Sequence, residues 1–157
     1  MIYDIESYIL RIQAFLQANL NTAITDLNTE KNDTIVLATI SNDAYFIQTL
    51  NDTVANYNPH ILIGIDAIQS VPGPGATIKI LTFSVIILVE DRGQDLFIYR
   101  RMLRYLRVLE EMMNRSFNKI IPHATFNVNS LEPIALIAMN SNDPYRAVGV
   151  QIVASLG

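Results

Sequence analysis

Cysteine is missing from this chain, so it can hold neither a disulfide nor a thiolate metal site. Histidine is scarce. His60 and His123 stand far apart in unlike surroundings, a poor basis for a metal centre. Charge is thin, with Asp, Glu, Lys and Arg making up 17% of the residues, where about 25% is ordinary for a soluble domain. Long apolar runs are lacking too. The longest, Ile134 to Met139, is six residues, with Val85 to Val89 next at five, where a membrane helix needs about 20. The opening MIYDIESYIL carries Asp4 and Glu6 where a signal peptide would be basic. No excess of positive charge exists either. The net charge is −4, which argues against nucleic-acid binding over the whole surface.

What is present is apolar. Hydrophobic residues reach 50% and the mean hydropathy is +0.26. With a membrane segment set aside, this favours a protein that buries surface twice, once in its core and again against copies of itself. The 157 residues suit one domain, 1–157, which can bury roughly two-thirds of its unfolded surface without staples.

Periodicity sets the elements. Ile5, Ile9, Ile12, Leu16 and Leu20 recur at spacings of three and four, which predicts an amphipathic helix over 4–20 with Asp4 as its cap. The phase continues through Ala23, Ile24 and Leu27. Asn19, Asn21 and Thr22 are weak helix formers, so a kink is expected there, then a short second helix to about Glu30. TIVLATI, 34–40, reads as a first strand. Residues 41–58 have no clean period and read as a loop with at most one helical turn. Tyr45, Phe46 and Tyr57 would be oddly exposed there on a monomer. Strands are expected at 60–68 and across TIKILTFSVIILVED. The rigid turn or loop SVPGPGA, 70–76, with its Pro72-Gly73-Pro74-Gly75 link, joins them into a long hairpin. In the second of these strands Phe83, Val85, Ile87 and Val89 take one face, and Thr82, Ser84, Ile86 and Leu88 the other. A second major helix is expected over 95–117, capped by Asp95, with Ile98, Met102, Tyr105, Leu109 and Met112 inward. Extended stretches follow at 124–131, 133–139 and 145–156, with a turn at Asn140–Pro144. The last stretch runs almost to the final residue, leaving no tail. The order lacks βαβ alternation. It predicts an α+β fold: a mainly antiparallel or mixed sheet, about two major helices on one face, and a long β-hairpin.

No catalytic signature emerges. Gly73-Pro74-Gly75 lacks the free N–H groups and the following lysine of a phosphate loop, and reads as a turn. The Asn-Asp pairs at 32–33, 42–43, 51–52 and 142–143 are too scattered for a calcium loop and read as turns or caps. Glu90-Asp91 and Glu110-Glu111 are adjacent carboxylates that diverge. His60 and His123 read as structural, and the sequons at Asn32, Asn51 and Asn114 carry little weight without a secretory signal.

The most informative stretch is FIYRRMLRYLRVLEEMM, 97–113. At 100° per residue, Arg100, Arg104, Arg107, Glu111 and Arg115 fall opposite the apolar side. Glu111 lies four residues from both Arg107 and Arg115, so two local ion pairs are available, each worth about 0.3–0.5 kcal/mol. Arg100, Arg101 and Arg104 are left without local partners. They can face water, the acidic surface of a neighbouring subunit, or DNA backbone.

Four segments taken together, LNTAITDLNTEKNDTIVLATI, TIKILTFSVIILVED, YRRMLRYLRVLEEMM and YRAVGVQIVASLG, resemble tail terminator proteins, also called tail completion or neck proteins, of long-tailed bacteriophages. The resemblance covers most of the chain and rests on element order and texture. It implies an α/β fold with helices on a sheet, no cofactor and no enzymatic activity. It also implies a homo-hexameric ring that caps the finished tail tube and then meets the head connector. The implied partners are other copies of the chain, the tail tube protein and the connector or adaptor proteins. Genomic DNA would pass through the ring lumen without sequence recognition, and no membrane is involved. The location would be the tail neck of the virion, after synthesis in the host cytoplasm. The candidate contact residues become Arg100, Arg101, Arg104, Arg107, Tyr45, Phe46, Pro72, Gly73, Pro74 and Gly75. Two alternatives stand beside this: another head–tail joining protein, and a small enzyme with a non-standard site.

Overall fold

A computed structural model describes residues 5–47, 57–120, 126–136 and 144–156. In chain order they form α1 (Ile5–Lys31), a single 3-10 turn (Asn42–Ala44), β1 (Tyr45–Ile47), β2 (His60–Gly73), β3 (Ala76–Glu90), α2 (Ile98–Ile120), β4 (Phe126–Leu136) and β5 (Tyr145–Leu156). The five strands make one sheet in the order β1-β2-β3-β5-β4. β1 runs parallel to β2 and every other pair is antiparallel. The fold is α+β with a mixed sheet, two helices packed against it and a long β2–β3 hairpin.

Both helices cover the same side of the sheet. α1 buries Ile9, Ile12, Leu16, Leu20, Ile24 and Leu27. α2 adds Ile98, Met102, Tyr105, Val108, Leu109 and Met113. Beneath them lie Ile61 and Ile63 of β2, Leu81, Phe83, Val85 and Ile87 of β3, and Val148, Val150, Ile152 and Ala154 of β5. The register explains the match, since Val85 pairs with Val150 and Phe83 with Ile152, so odd-numbered residues of β3 and even-numbered residues of β5 share a face. Truncating Phe83, which is wholly buried, to alanine would cost about 3–5 kcal/mol. The other face carries a smaller apolar cluster of Leu62, Ile86, Leu88 and Ala147, with Phe46 and Tyr145 packed against it. This accounts for the polar-to-apolar change along the second face of β3.

Several expectations need correction. α1 is one continuous helix of 27 residues, with no break at Asn19–Thr22 and no separate second helix. The weak helix formers are used instead. Asn19 Nδ2 donates to the Phe15 carbonyl at 2.8 Å, and the Asn21 side chain serves a neighbouring segment. TIVLATI forms no strand. The loop that follows contains β1, and Tyr45 is buried, its hydroxyl donating to the Leu16 carbonyl at 3.3 Å. The stretches at 124–131 and 133–139 are represented by one strand, β4, with a register shift between Val128 and Ser130. Pro133 is tolerated because β4 is the sheet edge and has no second neighbour to satisfy. Asp4, His123, the sequon at Asn51, the Asn-Asp pairs at 51–52 and 142–143, the ends of the expected strands at 124–125 and 137–139, most of the expected turn at 140–144, and the side chains of Asn114 and Arg115 lie outside what is described.

The hairpin outgrows its support. β5 reaches along β3 only to Lys79, and β1 reaches along β2 only to Ile63. A bulge between Ile65 and Ala67 shifts the register. Ile65 and Ile68 still pair with the buried Phe83 and Leu81, yet they are 40% and 50% exposed. They are on the core side of the sheet beyond the cover of the helices. At the tip Gly75 has φ 80°, which suits glycine in a tight turn.

Candidate functional site

The arginines of α2 resolve into two groups. Arg104 is almost wholly buried and points at the segment just after α1. Its guanidinium takes both carboxylate oxygens of Asp33, at 2.8 and 2.6 Å, and donates to the Ile35 carbonyl at 2.6 Å. A planar fork on a carboxylate suits this geometry. The Arg104 hydrogen bond holds the Asp33 carboxyl at about 2, against an ordinary 3.8, with desolvation opposing. Asp33 in turn raises Arg104. Arg101 donates to Asp95 at 2.8 Å and to the Val36 carbonyl. At Asp95, burial works against the charge, while the bonds from Arg101 and the Phe97 N–H outweigh it and lower its pKa. Arg107 holds Glu30 at 3.0 Å and Glu111 at 3.3 Å, and both carboxylates push its own pKa up.

Arg101 and Arg104 therefore have partners, contrary to the local reading. Those partners lie 65 to 71 residues away in sequence, or on the helix cap. Arg100 alone of the four is exposed and makes no hydrogen bond or ion pair among the described residues. Asp33 acts on it only through space.

The clipped segment, 33–40, is a strap across both helices. Asn28 of α1 accepts from the Leu37 N–H at 2.8 Å and donates to the Leu37 carbonyl at 3.0 Å. Asn21, two turns earlier on the same face, does the same for Ile40 at 2.8 Å in each direction. From α2, the Tyr105 hydroxyl donates to the Ala38 carbonyl at 2.7 Å, and burial pushes that phenol up to about 12. Ile35, Leu37 and Ile40 are buried beneath.

The other expected contact residues divide. Pro72, Pro74 and Gly75 are exposed at the hairpin tip and Gly73 is partly so, where a contact is sterically open. Tyr45 is buried in the core, which removes it from the surface, and its phenol pKa is raised by that burial. Phe46 is half-buried in the second cluster, 5.8 Å from the Tyr57 ring. His60 is buried beside it. Its Nδ1 donates to the Tyr57 carbonyl at 3.0 Å, and Nε2 has no partner among the described residues. Burial lowers its pKa, with the Tyr57 bond opposing, which fits a structural role.

Sequence reasoning missed a row of exposed apolar side chains in the turn before α2 and its first turns. Leu96, Tyr99 and Leu103 are 90%, 55% and 53% exposed. Their spacing of three and four was visible, and the arginines drew attention away from it.

Two clefts stand out among the described residues. One, of about 260 Å³, lies between α1 and α2. It has an apolar floor of Ala23, Leu27, Val108 and Met112 and a rim of Asp26, Glu30, Glu111 and Arg107. The other is shallow and lies around Asn58, Glu90 and Asp95. The groups with shifted pKa values do not converge in either. Arg107 lines the first and Asp95 the second, while Asp33, His60 and the two tyrosines lie elsewhere. Ser84 donates to Asp66 at 2.5 Å, and Gln151 joins the same oxygen at 3.3 Å, with no histidine in the network as a base. No group of three His, Asp or Glu that could hold a metal exists among the described residues, and no helix there is long and apolar enough to cross a membrane. No known family model matches the chain, and no curated protein matches it.

Proposed function

We propose that this chain is a structural virion protein, the subunit of a ring-forming tail terminator that caps a phage tail tube and joins it to the head connector. The observation that carries the reading is the β2–β3 hairpin. It leaves the shelter of the helices with Ile65 and Ile68 uncovered on the core side and an exposed Pro-Gly tip. A subunit in a closed ring needs a surface that is unsatisfied alone and complementary to a different surface on its neighbour. An arm of this kind supplies it without disturbing the core. The resemblance in element order supports the same reading. On this view Pro72 to Gly75 meet a neighbour or the tube, and termination follows because the outer side of the ring offers no further tube-like surface.

Sizing the purified protein with and without isolated tail tubes tests this. The expected result is a ring, free or formed on the tube, that is lost in an Ile65→Ser, Ile68→Ser variant with unchanged thermal stability. A protein that neither closes into rings nor sediments with tubes overturns the reading. Binding to DNA-filled heads in place of tubes would move it to another head–tail joining component.

A further inference from the structure

We propose that the outward face of α2 is a self-pairing surface, on which two copies of this chain associate through antiparallel α2 helices. The proposal goes beyond the ring reading and does not use the hairpin. Arg100, Leu103, Arg107 and Glu111 fall within an arc of about 80° on the helix, opposite the buried Met102, Tyr105 and Leu109, and Leu96 lies in the turn just before the helix. Along that arc the character changes in order. The first half is apolar and positive, with Leu96 and Leu103 more than half exposed and Arg100 without a bonded partner among the described residues. Among the described side chains the second half is acidic. There the cleft between α1 and α2 has Asp26, Glu30 and Glu111 on its rim against a single cation, Arg107.

A parallel arrangement would set positive against positive. An antiparallel one, centred between Leu103 and Arg107, brings Arg100 of each copy to the acid-rimmed cleft of the other. Arg100 and Glu111 are about 16 Å apart along the axis, at 1.5 Å per residue, so both contacts form at once about one two-fold axis. Leu103 then rests on the aliphatic stem of Arg107 of the second copy. The guanidinium of Arg100 gains carboxylates that Arg107 leaves incompletely neutralised, and the apolar row is covered.

Sedimentation velocity over a concentration series tests the pairing. The wild-type chain should form a dimer, or a higher assembly containing this contact. Arg100→Glu makes both ends of the face acidic, and Glu111→Lys sets a cation at both ends and cancels the excess acid of the rim. Each should weaken self-association about tenfold or more when studied alone. Mixed one to one, they should associate with each other, since every cross-contact then joins opposite charges. Leu103→Asp should weaken association and not be rescued by mixing. Unchanged circular dichroism and thermal midpoints are the control for folding, and Glu30 still holds Arg107 when Glu111 is replaced. A wild-type chain that stays monomeric up to about 100 µM overturns the proposal. So do Arg100→Glu and Glu111→Lys variants that associate as the wild type does, or that fail to associate when mixed. The hairpin variant Ile65→Ser, Ile68→Ser should leave this pairing intact, which separates its failure from failure of the ring reading.

Discussion

The strap at 34–40 and the strand β5 have nearly the same texture, short, aliphatic and β-branched, and they meet opposite fates. β5 lies between β3 and β4, so its N–H and C=O groups are taken by two backbones. The strap lies across two helices whose backbone groups are already paired internally, leaving only side chains to reach it. Asn21, Asn28, Arg101, Arg104 and Tyr105 do so, one or two bonds each. A β-branched, aliphatic sequence does not by itself make a segment a strand. What it pairs with is decided by what surrounds it.

The comparison is most sharply broken in the strand. Gly149 sits opposite Ile86, and a Cβ there would run into the Val85 carbonyl and lie 2.9 Å from Ile86 Cα. Gly149→Val should cost about 3 kcal/mol or more, because the clash is with backbone that cannot turn aside. A urea midpoint equal to wild type would show that the ladder is looser than described. Next comes the strap. Asn28→Ala strands both polar groups of Leu37, a residue 2% exposed, and should cost about 1–3 kcal/mol in the same assay. Asn28→Asp keeps the acceptor and loses the donor, so it should fall between. If alanine and aspartate are indistinguishable from wild type, the side-chain ladder carries no stability.

The smallest effect is electrostatic. Asp33 is held at about 2 when folded against 3.8 ordinarily, so below about pH 4 the unfolded chain binds the proton first. The contribution is complete above about pH 4 and is lost as the pH falls towards 2. Asp33→Asn should flatten that part of the stability profile, and an identical acid slope in the variant would refute the assignment. Half-exposure of the carboxylate keeps the effect modest.

Much of the fold was legible because it is written in short periods. The stripe Ile9, Ile12, Leu16, Leu20, Ile24 and Leu27, and the alternation of Val148, Val150, Ile152 and Ala154, each report a face without reference to anything distant. The hairpin was legible for the same reason, with Pro-Gly between two apolar runs. The surfaces were less so. Arg104 could not be assigned to Asp33 from sequence, because 71 residues separate them and only the packing of α1 on α2 brings them together. The continuity of α1 through Asn19–Thr22 was hidden for a related reason, since propensity cannot anticipate that Asn21 will be occupied by Ile40. Leu96, Tyr99 and Leu103 were within reach of a phase count made over all residues of α2.

The bulge in β2 has a consequence for any insertion or deletion in the arm. Before it, odd-numbered residues such as Ile61 and Ile63 look toward the helices; after it, Ile68 and Ser70 take that side. One extra residue has switched the parity of everything out to the tip. Removing Asp66 would mend the ladder and leave Ile68 opposite Leu81 on the core side, whereas a single deletion farther out along the arm would turn the residues beyond it to the opposite face.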